Sequence, residues 1–274
     1  MPEGPEVARE ADRIREAIGG SALERVYFAF PHLSRRERAL VGDRVVDVRA
    51  RGKAMLITLE GGSTIYSHNQ LYGRWFVRKV GSFPRTRRQL RLALETRTHA
   101  ALLYSASEID LLDEAGLSIH PYLSKLGPDA LDPRTEPEAL DRRLADARFR
   151  RRSLAALLLD QAFVAGLGNY LRSEIAFDAR VDPTLRPADL PDSARRAVAR
   201  SILKISRRAY ATRVVTLPAS RAAALRRSGA SWARARHWVF ARAGEPCRRC
   251  DAKVERLVLS GRRLYRCRSC QPSD

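Results

Sequence analysis

Four cysteines near the C-terminus constrain this chain more than any other feature. Cys247-x-x-Cys250 and Cys267-x-x-Cys270, separated by sixteen residues, have the spacing of a four-cysteine structural zinc site. Each pair sits on a tight knuckle, so four thiolates converge tetrahedrally and leave no open coordination position. Such a site stabilises a small hairpin and performs no metal chemistry. Val254 to Leu259 and Arg263 to Arg266 read as two strands turning at Ser260-Gly261-Arg262, with Arg262 at the tip. One structural Zn2+ is therefore the expected cofactor. The alternative of two disulfides does not suit the reducing compartment argued below.

The charge balance points to the partner. Lys and Arg number 51 against 31 Asp and Glu, a net charge of +20 over 274 residues. Folding does not need that excess, and self-repulsion opposes it, so a polyanion is the economical partner. Arginine outnumbers lysine, but a preference for one cation does not create the excess. No apolar run reaches the roughly 18 residues of a membrane span. The acidic, polar N-terminus is unlike a signal peptide. A bacterial cytoplasm or nucleoid is expected, with no membrane partner and a monomeric chain.

Hydrophobic periodicity divides the chain. Val7, Ala11, Ile14 and Ile18 recur at helical intervals over residues 3–18, and Gly19-Gly20 supplies a stop. From Ala22 to Leu112 the pattern changes to short β-branched or alternating runs. They are 26–28, 45–48, 55–59, 64–66, 75–77, 90–94 and 101–104, with a hairpin turn at Gly61-Gly62. Three prolines and a glycine between Pro121 and Pro133 read as a linker. Thr135-x-x-Glu138 reads as a capping box, and helical patterns follow at 138–146, 153–164, 169–177 and 192–210. The stretch 212–232 shows no assignable pattern. The fold class is therefore multidomain α+β. Its parts are a helix plus a strand-rich sandwich or barrel over 1–120, a linker over 121–134, a helical domain over 135–232 and a four-cysteine zinc finger over 233–274.

Two further segments carry chemistry. The chain opens Met1-Pro2-Glu3-Gly4-Pro5-Glu6. Removal of Met1 leaves Pro2 as a free secondary amine with a pKa near 8, partly neutral at physiological pH and beside a carboxylate. An amine nucleophile paired with an acid is the minimum equipment for Schiff-base chemistry. Taken alone, the same six residues describe an ordinary frayed terminus. Gly166-Leu167-Gly168-Asn169 joins two helical runs. There Asn169 is placed to cap the next helix, whose positive dipole end faces outward as an anion site.

Together Pro2-Glu3-Gly4-Pro5-Glu6, Arg51-Gly52-Lys53, Gly166-Leu167-Gly168-Asn169 and the cysteine ribbon resemble the formamidopyrimidine-DNA glycosylase/endonuclease VIII family of base-excision repair enzymes. Ser67-His68-Asn69-Gln70-Leu71-Tyr72-Gly73 and Leu103-Tyr104-Ser105-Ala106-Ser107 are similar to its bacterial endonuclease VIII branch. The resemblance covers Met1 to Gln271. It implies a β-sandwich domain, a helix–two-turn–helix domain and a zinc finger, with damaged double-stranded DNA between the domains. It also implies that Pro2 attacks C1′ of a damaged nucleotide and expels the base. An iminium forms, and the strand is cleaved by β,δ-elimination. By the same resemblance Glu3 handles protons and Lys53 donates a proton or holds the lesion's phosphate. Gln70, Leu71 and Tyr72 fill the gap left by the extruded nucleotide, and Asn169 and Arg262 grip phosphates. Glu6 and Glu174 are acids whose role is catalytic or structural.

Asp251 stands where such knuckles usually have glycine, and Asp tolerates a left-handed backbone. Removal of oxidised pyrimidines is the expected activity. Action on oxidised purines is disfavoured by the Gln70-Leu71-Tyr72 wedge. A DNA-binding protein without catalysis is disfavoured by the presence of Pro2, Glu3 and Lys53.

Overall fold

The computed structural model describes residues 2–259 and 261–273, so Met1 and the Ser260 of the expected hairpin turn lie outside the described residues. The chain forms two compact units, one holding Pro2 and Glu6–Lys125, the other Glu3–Pro5 and Leu126 onward.

In the first unit, helix α1 (Gly4–Ile18) buries the stripe Val7, Ala11, Ile14 and Ile18. Two antiparallel four-stranded sheets follow. One has the order β2 (Val45–Arg51), β3 (Ala54–Leu59), β4 (Thr64–His68), β8 (Glu108–Leu112). The other has the order β1 (Arg25–Phe28), β6 (Leu90–Glu95), β7 (His99–Tyr104), β5 (Arg74–Lys79). Their facing residues share one core with α1, including Phe28, Val48, Ile57, Ile65, Trp75, Leu94 and Leu103. Strand β3 is apolar on both faces because its outer side is covered as well. Ala54, Leu56 and Tyr66 pack beneath Leu112, Leu117, Tyr122 and Leu123. A helix over Glu114–Ile119 (α4) supplies part of that cover.

Strand β8 was not anticipated. Its Glu108-Ile109-Asp110 alternation is a half-buried edge pattern. Pairing with β4 sets Glu108 opposite His68 and Ser67 opposite Ile109. Helices α2 (Pro31–Ser34) and α3 (Glu37–Leu40) are single turns between β1 and β2.

The second unit packs α5 (Pro137–Ala145), α6 (Leu154–Leu157), α7 (Asn169–Ala179) and α8 (Asp192–Ala211) around Leu140, Leu144, Leu158, Phe163, Leu171, Ile175, Ile202 and Ile205. Two sequence expectations are corrected here, and one open assignment is filled. Thr135 is not a helix cap. Its hydroxyl donates to the Asp129 carbonyl at 2.8 Å, and α5 starts from Glu136 with Pro137 in the first turn and no side-chain cap. The helix expected over 153–164 stops after one turn. Asp160 Oδ1 accepts from the Ala162 amide at 2.8 Å, and Gln161 bonds the Leu159 and Leu167 carbonyls and the Gly166 amide. Those local bonds offer the backbone an alternative to the helix ladder. The unassigned stretch 212–232 contains a helix, α9 (Ala219–Arg227).

Strands β9 (Glu255–Leu259) and β10 (Arg262–Arg266) form the hairpin. Arg262 pairs with Leu259 as the first residue of β10, so it flanks the turn rather than forming its apex. The hairpin rests on α7 through a cluster of Phe177, Trp238, Val239, Val254, Tyr265 and the buried sulfurs of Cys247 and Cys267. Among the described residues, no helix is long and apolar enough to cross a membrane.

Candidate active site and metal centre

The N-terminal segment is held by its own carboxylate. Glu3, only 4% exposed, accepts from the Tyr170 amide at 2.8 Å and the Leu171 amide at 3.2 Å. These are orphan N–H groups in the first turn of α7, where the helix dipole favours an anion. The sequence placed a ligand phosphate at that helix end; the structure fills it with Glu3. Asn169 is likewise not the cap. Gly168 holds that position, and Asn169 is the first helical residue.

Two glycines make the approach possible. A Cβ on Gly168 would lie 2.4–2.6 Å from the Glu3 carboxylate, and one on Gly4 would lie 2.9 Å from the Gly166 backbone. The Gly4 amide also donates to the Gly166 carbonyl at 2.7 Å. The glycines of both motifs are therefore one requirement for close packing.

Behind Glu3 stands Arg172, fully buried. Its guanidinium donates to Asn169 Oδ1 at 2.9 Å, to the Ala155 carbonyl at 3.1 Å, and to the carbonyls of Leu259, Arg262 and Arg263 at 3.2–3.3 Å. It thus brings Asn169 and Arg262, two residues predicted to grip phosphate, onto one rigid support. Burial and the neighbouring Arg262 charge push its pKa down to about 10, opposed by Glu3, so it stays charged at neutral pH.

Glu174, on the next turn of α7, is fully buried. Its carboxylate accepts from the amides of Trp238 at 2.8 Å and of Val239 and Phe240 at 2.9 Å, and from the Thr216 hydroxyl. Burial raises its pKa, and these four donors oppose the rise. Every contact is to the protein's own chain, which is the geometry of a strut for the segment entering the ribbon.

The four cysteines are free of disulfides, and their sulfurs lie within 4.8 Å of one another. Individual separations are 3.4 Å (Cys250–Cys270), 3.5 Å (Cys250–Cys267) and 3.9 Å (Cys247–Cys270). A tetrahedral thiolate-bound ion with metal–sulfur bonds of about 2.3 Å separates sulfurs by about 3.8 Å, so the set fits a closed metal site. Asp251 adopts φ 63°, the left-handed backbone expected of it.

In the first unit, Lys53 lies in the β2–β3 turn and is only 6% exposed, unlike a solvated strand-end lysine. Its amide donates to the Tyr122 hydroxyl at 3.0 Å. Tyr122 meets the His68 ring edge-on at 5.2 Å, and His68 ends β4, one residue before the wedge loop. Burial lowers the His68 pKa, Glu108 raises it and the Lys53 charge lowers it again. In that loop Leu71 and Tyr72 are 66% and 69% exposed. The loop is anchored at both ends. Asn69 is buried and donates to Glu10 Oε2 at 2.8 Å, while Arg88 donates to the Tyr72 carbonyl. Pro2 is half-buried, and Glu6 lies in the first turn of α1.

Sequence reasoning missed Arg172, Glu10, His68 and Tyr122 as site components. For Arg172 a signal existed: it follows Asn169 by three residues, a spacing at which helical side chains meet. The others meet across strands or between helix and loop, and no local spacing announces them.

Residues 1–107 match the model described as the formamidopyrimidine-DNA glycosylase N-terminal domain. Residues 126–218 match the formamidopyrimidine-DNA glycosylase H2TH domain. A protein named Endonuclease 8 from Escherichia coli is 45% identical over 99% of this chain and 100% of its own length. Its namesake from Pectobacterium atrosepticum is 46% identical over the same shares. Among solved structures, Lactococcus lactis Fpg bound to N7-benzyl-Fapy-dG DNA aligns with TM-score 0.81 at 20% identity, over 99% of this chain and 100% of that one. The same protein bound to abasic-site DNA aligns with TM-score 0.79 at 20% identity and equal coverage. At that identity the likeness is one of fold.

Two outcomes test this geometry. Gly168→Ala is expected to displace Glu3 from α7 and to cost roughly 1–3 kcal/mol in urea unfolding, the penalty for unpairing buried amides. Glu10 has its pKa raised by burial from 4.5 to about 7, against the Asn69 hydrogen bond and the charges of Arg13 and Arg74 and with help from Glu6. A raised carboxyl pKa contributes stability that is fully present below the unfolded value and lost as pH rises toward 7. Glu10→Gln keeps an acceptor for Asn69. It should remove that decline and stabilise the chain by about 3 kcal/mol at pH 8, judged from denaturant midpoints across pH 4–8.

Proposed function

The chain belongs to the formamidopyrimidine-DNA glycosylase/endonuclease VIII family, and on that premise we propose that it is a bifunctional DNA glycosylase and AP lyase of base-excision repair. Its substrates are oxidised bases in duplex DNA, and oxidised pyrimidines in particular. The full-length identity to proteins named Endonuclease 8 and the exposed Leu71-Tyr72 wedge support that finer assignment.

The observation that carries the reading is the engagement of Glu3 with α7. Glu3 is buried against the first turn of that helix and accepts two backbone hydrogen bonds there. Held there, Glu3 fixes the position of the residue before it. Once Met1 is removed, the Pro2 nitrogen is a secondary amine. It attacks C1′ of the extruded nucleotide, and the base departs with the bonding pair and takes up a proton. The attacking nitrogen sheds its proton, the C1′–O4′ bond then breaks with O4′ taking up a proton, and the nitrogen lone pair forms the C1′ iminium of the opened sugar. Abstraction at C2′ then expels the 3′ phosphate, and a second elimination expels the 5′ phosphate. Glu3, held on α7, handles protons at the sugar oxygen. Lys53, buried beside Tyr122 and His68, presents a cation to the lesion's phosphate or donates a proton.

Gln70, Leu71 and Tyr72 occupy the gap that extrusion leaves. Asn169 and Arg262, joined through Arg172, contact the flanking phosphates. The contacts of Glu174 support a structural role rather than a catalytic one. The cysteine-bound ion is Zn2+, which when bound cross-links the ribbon and takes no part in the reaction. The four-part division over 1–120, 121–134, 135–232 and 233–274 and a bacterial cytoplasmic or nucleoid location complete the proposal.

Borohydride trapping on duplexes carrying thymine glycol, 8-oxoguanine or an abasic site tests the chemistry. A covalent band is expected with thymine glycol and with the abasic duplex, and neither should form when Met1 is retained or with Pro2→Gly. Absence of a band on all three duplexes would rule out the lyase. Strong preference for 8-oxoguanine opposite cytosine would move the substrate class to purines. Elemental analysis should find one zinc per chain. Chelation should weaken duplex binding at least tenfold, because the apo hairpin no longer holds Arg262 in register.

A further inference from the structure

Gln70 heads the wedge loop, but its side chain is clasped from behind. Its Nε2 donates to Glu108 Oε2 at 2.8 Å, and its Oε1 accepts from the Ser107 hydroxyl at 3.1 Å. The other Glu108 oxygen accepts from the Tyr66 hydroxyl at 2.9 Å. Burial and the Glu108 charge raise the Tyr66 pKa, so the phenol remains a donor. The Gln70 amide N–H donates to His68 Nδ1 at 3.1 Å, and its backbone sits at φ 45°, an uncommon conformation for a residue with a side chain.

A carboxylate only accepts hydrogen bonds, so the nitrogen of the carboxamide has to face Glu108. That sets the polarity of the whole group. A carboxamide carries two N–H donors and two acceptor lone pairs. The clasp takes one of each and leaves one donor and one acceptor in a fixed order.

The base left behind when a nucleotide is extruded presents such a pair. On its pairing edge adenine sets an amino donor beside a ring-nitrogen acceptor. Guanine sets a carbonyl acceptor beside a ring N–H donor, the reverse order. A freely rotating carboxamide satisfies both by turning over, whereas a clasped one matches a single order. We infer that Glu108, supported by Ser107, is a specificity-determining positioning residue: by locking the Gln70 amide it makes the enzyme discriminate adenine from guanine opposite the lesion. The inference rests on the glycosylase reading and on entry of residues 70–72 into the gap.

The test compares single-turnover excision of thymine glycol placed opposite adenine and opposite guanine. The wild-type chain should favour one purine by roughly fivefold or more, the discrimination expected of a two-bond amide contact. Glu108→Gln is near-isosteric and can offer Gln70 either oxygen or nitrogen. It should bring that ratio close to one while trapping on a single-stranded abasic oligonucleotide stays unchanged. Ser107→Ala should shift the ratio the same way by a smaller factor. A wild-type ratio of one overturns the inference. So does an equal loss of rate on both duplexes in Glu108→Gln, since the clasp would then only stiffen the loop. Failure of the wild-type chain to trap on the abasic strand would instead remove the lyase reading and the inference with it.

Discussion

A carboxylate buried against the first amides of a helix fixes the position of the second residue of this chain. Glu3 meets the α7 N-terminus at 2.8 and 3.2 Å, and compensation continues inward from there. The helix end carries partial positive charge, Glu3 supplies the negative charge it favours, and Arg172 lies behind with a full positive charge. Arg172 in turn is satisfied by Asn169 Oδ1 and by carbonyls of the hairpin and of Ala155. No member of this series is stable in the interior alone, because an unpaired buried charge costs several kcal/mol. The N-terminus, the helix corner and the hairpin therefore hold their positions together or not at all.

The same logic governs Glu174 one turn further along α7. Three consecutive amides at 238–240 would be orphans without its carboxylate. One helix thus presents Glu3's binding site at its start, an arginine for the hairpin in its first turn and an acid for the ribbon's entry in its second. In the sandwich unit the equivalent task falls to side chains that reach across elements. Glu10 anchors Asn69, Tyr66 orients Glu108, and Glu108 with Ser107 orients Gln70.

Regular elements were legible where one periodic face met one core. The α1 stripe, seven of the strands, α7 and α8 emerge where the pattern put them. Errors arose where side chains bonded to the backbone or where a second layer changed the pattern. Asp160 and Gln161 stop a helix that its leucines alone would have continued. Strand β8 hides in an acidic alternation because it is an edge. Helix α9 shows little apolar periodicity because only Ala222 and Leu225 touch the core beneath it. The helix end at Gly168 was recognised as an anion site but given the wrong anion, since Glu3 lies far away in sequence.

By itself the sequence determined the inventory: a ribbon with four converging thiolates, a strand-rich unit with a leading helix, a helical unit, a strongly cationic chain and a Pro-Glu terminus. Those follow from residue spacing and periodicity, which are local properties. Tertiary structure alone decided which charge answers which. Glu3 at α7, Arg172 under the hairpin, buried Lys53 beside Tyr122, and the clasp on Gln70 join residues dozens to more than a hundred and fifty positions apart. Electrostatic compensation acts over a few ångströms of space, and that distance cannot be read along the chain.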